Sequence, residues 1–434
     1  MSRNNLLSPF FFIYNERVLS FIQKEYIYFE NLGKNVQKFF LSCMLSGLAD
    51  PILYAFLAAF LYRQNHSYLP IALYYTGFYI GLPIAFFVNG LLLKKLSAQL
   101  LYWIGTTIEG LVIISIVWSG IEAMLALQMW GILFGVGAGF YWANRNFLTL
   151  RVVHAEKRMY YGSLESGIST FITILSPLLT GGIVVLLSQL IPNGITVSYK
   201  VLSLVAFVIL FFSGLIVQSM ESVSQTITSM IVRKKSSVWK TMRYYSFTSG
   251  IFSGIILFLP TLLVFTFLGK EGTLGYIQSL FAAISALVVL LFASRISNKH
   301  AFAFLAVSIA FLTAGSVFFG IFFSAIGAIV YLLLEAIGMP FSWAPYNTVS
   351  FNTIDAEQPL FEYHHFTYVF DQELYLNIGR LLGIGIFLFC IYIFGSTFAL
   401  RFSPAILAVL QITQLFFVKK LIKSHSLQTG NVGI

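Results

Sequence analysis

Long apolar runs separated by short polar segments cover most of the chain and determine its predicted architecture. A helix needs about 20 mostly apolar residues to cross a bilayer, and twelve segments meet this requirement. They run apolar throughout, whereas the strands of an outer-membrane barrel alternate apolar and polar residues. We predict an all-α polytopic membrane protein with spans near residues 39–62, 69–93, 98–119, 123–148, 162–190, 199–220, 245–268, 273–293, 300–322, 325–350, 370–396 and 399–419.

The composition agrees with this prediction. Hydrophobic residues make up 58% of the 434 positions and charged residues only 10%, against about 25% charged residues in a typical soluble domain. This balance excludes a cytosolic enzyme, a disulfide scaffold and a disordered chain. Cys43 and Cys390 both lie inside apolar runs, where we expect free buried thiols rather than a disulfide.

The 26 lysines and arginines are distributed unequally between the two sides that an even number of spans defines. Twenty lie on the side of the two termini; Arg63, Lys200, Lys270 and Arg401 lie on the other side, and Arg145 and Arg380 lie within spans. Cytoplasmic loops are enriched in Lys and Arg, so we predict an inner (cytoplasmic) membrane protein with both termini in the cytoplasm. The same rule explains the net charge of +10 without a nucleic-acid partner.

Three polar segments lie outside the spans. Residues 1–38 are charged throughout and lack a signal-peptide pattern, so we expect a cytoplasmic segment that is either amphipathic on the membrane surface or a frayed tail. Residues 221–243 contain the basic run 233–235 and form a predicted cytoplasmic linker against anionic lipid. Residues 421–434 form a predicted cytoplasmic tail. Six-helix bundles are therefore predicted at 39–220 and 244–420.

An internal repeat supports this division into two halves. The string 140–146 (FYWANRN) matches 341–347 (FSWAPYN), and the same offset of 201 positions relates Ala155-Glu156 to Ala356-Glu357. A weaker similarity relates Ser46-Gly47, followed by Pro51, to Ser253-Gly254, followed by Pro260. Parallel six-span repeats place the substrate site between the halves, near the bilayer midplane.

With six spans in each half, both ends inside and a basic central loop, the chain resembles the major facilitator superfamily of secondary transporters. The family's motif after the second span is partly present in the string 90–97 (GLLLKKLS), which keeps the first glycine and a basic residue but lacks the aspartate. Its exporter signature is half present in the string 176–181 (SPLLTG). The strings that begin at Phe341 and Glu373 are similar to a poorly characterised bacterial branch, and the resemblance implies no particular substrate.

Arg380 is the first candidate for a functional residue. A charge inside a span costs at least about 2.5–3.5 kcal/mol on the insertion scale, and Arg380 lies about ten residues, or ~15 Å, into the eleventh span, near the midplane. Its planar fork matches carboxylates and phosphates. We expect it to face an anionic substrate, a carboxylate of the protein or water.

Three carboxylates lie near the middle of predicted spans. Asp50 precedes Pro51, which removes a backbone donor and loosens the helix; it is a candidate for substrate binding and proton coupling, because burial disfavours a charged carboxylate. The alternative is a helix-breaking Asp-Pro pair bonded to a neighbouring span. Glu335 is a second candidate for both roles and could pair with Arg380. Glu109 is a candidate for proton coupling or, alternatively, for a contact between helices.

Arg145, Glu165 and Glu373 lie towards the cytoplasmic ends of the fourth, fifth and eleventh spans. We interpret them as a gate of ion pairs on the inner side. Such pairs would form when the cavity opens outward and separate when it opens inward.

Aromatic residues are abundant, with 45 Phe, 23 Tyr and 6 Trp. Most are expected in the core, facing lipid or anchoring span ends. Trp142 and Trp343, however, occupy equivalent positions of the repeat, so two-fold symmetry would bring both towards a central cavity. Tyr54 is a further candidate for its wall. Asn347 is a candidate for substrate binding, although a bond across helices is the alternative.

Motifs for other energy sources and chemistries are missing from the sequence. It has no Walker A motif for ATP and no H-E-x-x-H, G-x-S-x-G or C-x-x-C motif, so we expect no enzyme activity, cofactor or metal. His364 and His365 are adjacent in an acidic loop, but their spacing fits no metal-ligand pattern.

A secondary active transporter, either a symporter or an antiporter, fits these observations best. We expect a monomer in the bilayer that moves a small organic solute by alternating access, driven by protons. Two buried arginines favour an organic anion. If protein carboxylates match both arginines, a neutral or cationic amphiphile becomes the better prediction, as for an exporter of drug-like compounds. A polytopic enzyme on lipid-linked substrates or a non-transporting receptor are the alternatives from other classes.

Overall fold

Twelve long helices make up the described part of the molecule. The computed structural model describes residues 27–120, 124–154, 157–225, 227, 229–292, 300–361 and 363–428, and these residues contain no β-strand. Twelve helices are long and apolar enough to span a membrane, as the sequence predicted. They are α1 (Lys34–Asn65), α2 (Leu69–Leu92), α3 (Ala98–Ser119), α4 (Leu125–Thr149), α5 (Tyr160–Leu190), α6 (Gly194–Gln218), α7 (Ser237–Leu268), α8 (Glu271–Phe292), α9 (Ala301–Ile321), α10 (Ala325–Phe361), α11 (His365–Phe394) and α12 (Ser396–Ser424).

Several helices extend beyond the apolar runs that predicted them. α7 begins at Ser237 rather than near 245, because the Ser236 hydroxyl caps it by accepting from the backbone N–H groups of Val238 and Trp239 at 3.0 and 3.2 Å. The described residues between α6 and α7 (219–225, 227 and 229–236) are not helical, and the connection 219–236 is shorter than the predicted linker 221–243. α12 likewise continues to Ser424, into the predicted tail. The predicted amphipathic segment lies mostly in residues 1–26, outside the described residues.

The connection 219–236 is bonded to both halves of the molecule. In the first half, the Val223 N–H donates to Gln99 Oε1 at 2.9 Å. In the second half, Thr367 Oγ1 donates to the Ser229 carbonyl at 2.6 Å. Backbone and side-chain hydrogen bonds, rather than lipid alone, thus position this segment across the ends of the helices.

Close helix packing inside each half depends on glycine. A Cβ at Gly135 would lie 2.2 Å from the Phe78 carbonyl oxygen, so α4 and α2 are in backbone contact. Small residues let helices approach closely in this way, and the glycines of the run 135–139 lie at such contacts. In the second half, a Cβ at Gly379 would lie 2.0 Å from the Phe247 carbonyl oxygen, which brings α11 against α7.

The two halves meet along two seams. On one side, α2 packs against α11 and α7: the Tyr79 hydroxyl donates to the Ser253 carbonyl at 3.1 Å, and Phe86 and Phe366 stack with centroids 6.5 Å apart. On the other side, α5 packs against α8. We call the face where α1 begins and α12 ends the terminal face, and the other one the opposite face. A cavity lies between the two seams.

Candidate functional site

The central cavity is lined by both halves and has a volume of about 370 Å³. Such a volume falls within the ~300–1,000 Å³ typical of small-molecule sites. α1 and α5 contribute from the first half and α7, α8 and α10 from the second, and most of the lining side chains are apolar. The lining residues include Pro51, Tyr54, Ala55, Thr173, Pro177, Ile256, Leu257, Pro260, Val264, Gln278, Phe281, Ser285, Leu332 and Met339.

Asp50 on α1 and Glu335 on α10 are the charged residues of this lining. Asp50 is exposed to the cavity, whereas Glu335 is only 9% exposed. Within the residues that the structure describes, neither carboxylate makes a hydrogen bond or an ion pair. No Lys, Arg or His belongs to the described lining, so the cavity carries acidic groups without a basic partner.

Both helices that open a half are interrupted beside the cavity. α1 contains Pro51 followed by a π-helical turn, Ile52–Phe56. α7 has Pro260 and then a π-helical turn at Val264–Leu268. π-turns of this kind are frequent at functional sites. The matching interruptions agree with the weak similarity seen between the two sequence halves, and both prolines line the cavity.

Arg380 does not line the cavity. Its Nη1 donates to Glu373 Oε1 at 2.9 Å and to Asn377 Oδ1 at 3.1 Å, all within α11. Its guanidinium lies 5.5 Å from the ring centroid of Tyr79, across the seam. The suggested pairing with Glu335 is wrong, since Glu373 lies two turns away on the same face of the helix.

Arg145 is also paired inside the protein. Its Nη2 donates to Glu165 Oε1 at 2.7 Å, which joins α4 to α5, and its guanidinium lies 4.8 Å from the Trp142 ring. This pair lies within the first half, and the pair of Arg380 with Glu373 lies within the second. In this conformation the predicted gate residues therefore do not connect the halves through these pairs.

The remaining predicted site residues occupy different positions. Tyr54 lines the cavity. Trp343 lines a small adjoining crevice of about 20 Å³ that shares Ile256 and Met339 with the cavity. Trp142 and Asn347 are exposed but are not part of the cavity wall.

Glu109 lies behind the cavity rather than in its wall. It is 2% exposed, and its Cγ would lie 2.9 Å from a Cβ at Gly137, so it packs at the contact of α3 with α4. Asp50 is within electrostatic range of it. The structure thus groups two carboxylates of the first half near each other, one of them facing the cavity.

A cluster that the sequence analysis missed joins the halves at the opposite face. Glu271, at the start of α8, is 2% exposed and accepts from Arg63 Nη1 of α1 at 3.1 Å and from the Tyr199 hydroxyl of α6 at 3.2 Å. Nearby, the Tyr68 and Thr266 hydroxyls are hydrogen-bonded at 3.2 Å. Arg63 and Glu271 are 208 positions apart, and no local pattern connects them. We call Arg63, Glu271, Tyr199, Tyr68 and Thr266 the opposite-face cluster.

α5 and α8 touch backbone to backbone on the side of the cavity nearer the opposite face. A Cβ at Gly275 would lie 2.5 Å from the Pro177 carbonyl oxygen and 2.9 Å from Gly181 Cα. Residues nearer the terminal face, such as Thr173 and Phe281, line the cavity instead. The seam is therefore closed towards the opposite face and parts at the cavity.

Comparison with known proteins identifies the family. The family model described as Major Facilitator Superfamily matches residues 39–359. The chain belongs to the major facilitator superfamily. The sequence of "Uncharacterized protein YqgE" of Bacillus subtilis (strain 168) is 25% identical over 368 residues, which cover 84% of each chain.

Solved structures of superfamily members share the fold. A bacterial homologue of the iron transporter ferroportin in an inward-facing state has a TM-score of 0.65 at 16% identity, covering 89% of this chain and 98% of that one. The D-xylose-proton symporter has a TM-score of 0.65 at 11% identity, covering 89% and 97%. These similarities show a multi-pass transporter fold and leave the substrate open.

Proposed function

We propose that this superfamily member is a secondary active transporter that moves a small organic solute through the central cavity by alternating access. The observation that carries the proposal is a cavity of about 370 Å³ whose wall comes from both halves. A site of this kind changes its exposure when the halves rock against each other. From the excess of lysine and arginine on the terminal face, we place that face in the cytoplasm and the protein in the inner membrane.

The opposite-face cluster and the contact between Gly181 and Gly275 form the outer gate in this mechanism. Both must separate when the cavity opens to the opposite face, since both join the two halves. Arg145, Glu165 and Glu373 form the inner gate. Their present partners lie within each half, so closing the terminal face would require new contacts across the seam.

Proton coupling is assigned to Asp50 and Glu335, with Glu109 as a second-rank candidate. A carboxylate without a basic partner in a low-dielectric site favours its neutral form, and access to water from one side favours release of the proton. Asp50 and Glu335 face the cavity, whereas Glu109 does not. Protonation of the first two would therefore follow the side to which the cavity is open.

The prediction of an anionic substrate has lost its main support. It depended on Arg145 and Arg380 having no carboxylate partner in the protein, and both are paired at 2.7 and 2.9 Å. The largely apolar wall fits a solute with an apolar body better. We therefore propose a neutral or cationic amphiphile as the substrate, with an organic anion as the second candidate.

Flux through liposomes tests the proposal. The full chain would be reconstituted, given a pH gradient and presented with a panel of labelled solutes, while an internal dye reports proton movement. We expect at least one solute to accumulate with coupled proton flow, and Asp50→Asn to abolish the gradient-driven part. Asp355→Asn removes a carboxylate that is 69% exposed on α10 and should behave as the parent.

Absence of flux for every solute would contradict the proposal. Turnover of a lipid-linked substrate would then favour the polytopic enzyme, and ligand binding without flux would favour the receptor.

A further inference from the structure

We propose that the central cavity is a binding site for a monovalent organic cation with an apolar body, held between Asp50 of the first half and Glu335 of the second. This inference rests on the proposed transport function for its role but concerns the binding site itself. The two carboxylates lie on α1 and α10, so one bound cation would contact both halves at once.

The charge of the wall is the first argument. Glu335 lines the cavity and is only 9% exposed. Its carboxylate has no hydrogen-bond or ion-pair partner among the described residues. Burying a charge without a partner is costly, so an occupant of opposite charge stabilises both groups. Arg145 acts on Asp50 through its charge without a hydrogen bond, and it is itself paired with Glu165 at 2.7 Å.

The remainder of the wall selects an organic cation over a metal ion. Calcium takes six to eight oxygen ligands, but the described residues contain no group of three His, Cys, Asp or Glu side chains that could hold a metal. Around the two carboxylates lie mainly aliphatic and aromatic side chains, Phe281 and Tyr54 among them.

The aromatic rings near the carboxylates add to this selectivity. A cation over a ring face is attracted by the quadrupole of the ring, whereas an anion is repelled. Tyr54 lies one helical turn after Asp50 and lines the same wall. An apolar cation therefore gains contacts at its charge and along its body, while an anion of the same shape would meet two carboxylates and no base.

Two ions of equal shape and opposite charge test the inference. Tetraphenylphosphonium and tetraphenylborate would be titrated into the purified full chain, with binding measured by calorimetry. We expect saturable binding of the phosphonium at one site and none of the borate. Asp50→Asn and Glu335→Gln, which keep side-chain shape, should each weaken phosphonium binding by at least tenfold, and the exposed-site control Asp355→Asn should leave it unchanged.

The melting temperature of each variant without ligand shows that it is folded. Should either variant fail to fold, Ala282→Trp, which fills the same cavity while keeping both carboxylates, must abolish phosphonium binding. Equal binding of both ions, borate binding alone, or phosphonium binding that survives both charge removals would overturn the inference.

Parallel flux measurements separate this inference from the proposed function. Carboxylate-dependent phosphonium binding without flux supports the cation site and contradicts transport. Proton-driven flux of an anionic solute, without phosphonium binding, contradicts the cation site and supports transport. Failure of both binding and flux contradicts both.

Discussion

The contact between α5 and α8 at Gly275 offers the sharpest test of how the halves separate. In Gly275→Ala the new methyl carbon would lie 2.5 Å from the Pro177 carbonyl oxygen and 2.9 Å from Gly181 Cα. Ordinary carbon contacts are about 3.5–4.0 Å, so the two helices must move apart by roughly 1 Å. The substitution acts only where the two helices touch, which is the seam towards the opposite face.

The expected size of the effect follows from packing energies. Overpacking by a methyl group costs about 1–3 kcal/mol, and this cost falls on the conformation that is closed at the opposite face. A bias of that size changes a two-state population about 5- to 150-fold. Gly182→Ala is the matched control, since a Cβ there has no atom within 4 Å and the helix propensity changes by the same amount.

Distances between spin labels would report the shift. Labels at the exposed positions Ser188 and Lys270 mark the opposite-face ends of α5 and α8, after replacement of the buried Cys43 and Cys390. We expect longer distances to gain population in Gly275→Ala but not in Gly182→Ala. A distribution like that of the parent, in a folded Gly275→Ala protein, would refute the assignment of this contact to the outer gate.

Two further predictions follow from the ion pairs. Arg380→Met should lower the free energy of unfolding by about 1–3 kcal/mol, and with it the melting temperature, because Glu373, which is 21% exposed, loses its ion-pair partner and keeps the hydrogen bond from Asn377 Nδ2 at 2.8 Å. Arg380→Met/Glu373→Gln should recover part of the loss. An anion that stabilises the parent but not Arg380→Met in a thermal-shift assay would instead make Arg380 a substrate ligand. Glu271→Gln should raise the population that is open at the opposite face only a few-fold, which corresponds to about 1 kcal/mol. The effect is small because its partner Arg63 is 41% exposed and exposed ion pairs contribute little. A parent-like distance distribution would show that Glu271 does not hold that face closed.

The membrane architecture could be predicted from the sequence because it depends on local composition. Each span needs its own apolar run, so the number and order of the helices follow from the chain alone. Helix ends were predicted less well, since Ser236 starts α7 in a polar segment and α10 continues through polar residues to Phe361. The Ser236 side chain caps the start of α7, and hydropathy does not describe such a cap.

The charged residues of the candidate site could be predicted from the sequence, but their ion-pair partners were predicted much less well. Asp50 and Glu335 stand out because carboxylates in spans are costly, and both face the cavity. The pairing of Arg380 with Glu373 could have been predicted, because residues seven positions apart lie on the same face of a helix. Arg63 and Glu271 pair across 208 positions. Only the folded arrangement of α1 and α8 brings them together.

The measurement that tests alternating access most directly is labelling of one cysteine from each side of the membrane. Ala282→Cys places a thiol in the cavity wall, in a chain whose Cys43 and Cys390 have been replaced. In liposomes, we predict that a membrane-impermeant maleimide reaches this thiol from both sides. Joining Arg63→Cys to Glu271→Cys with a short cross-linker, before the cavity thiol is exposed to reagent, should abolish labelling from the opposite face alone. Labelling from that face that survives the cross-link, or access from only one side in the uncross-linked protein, would contradict the account.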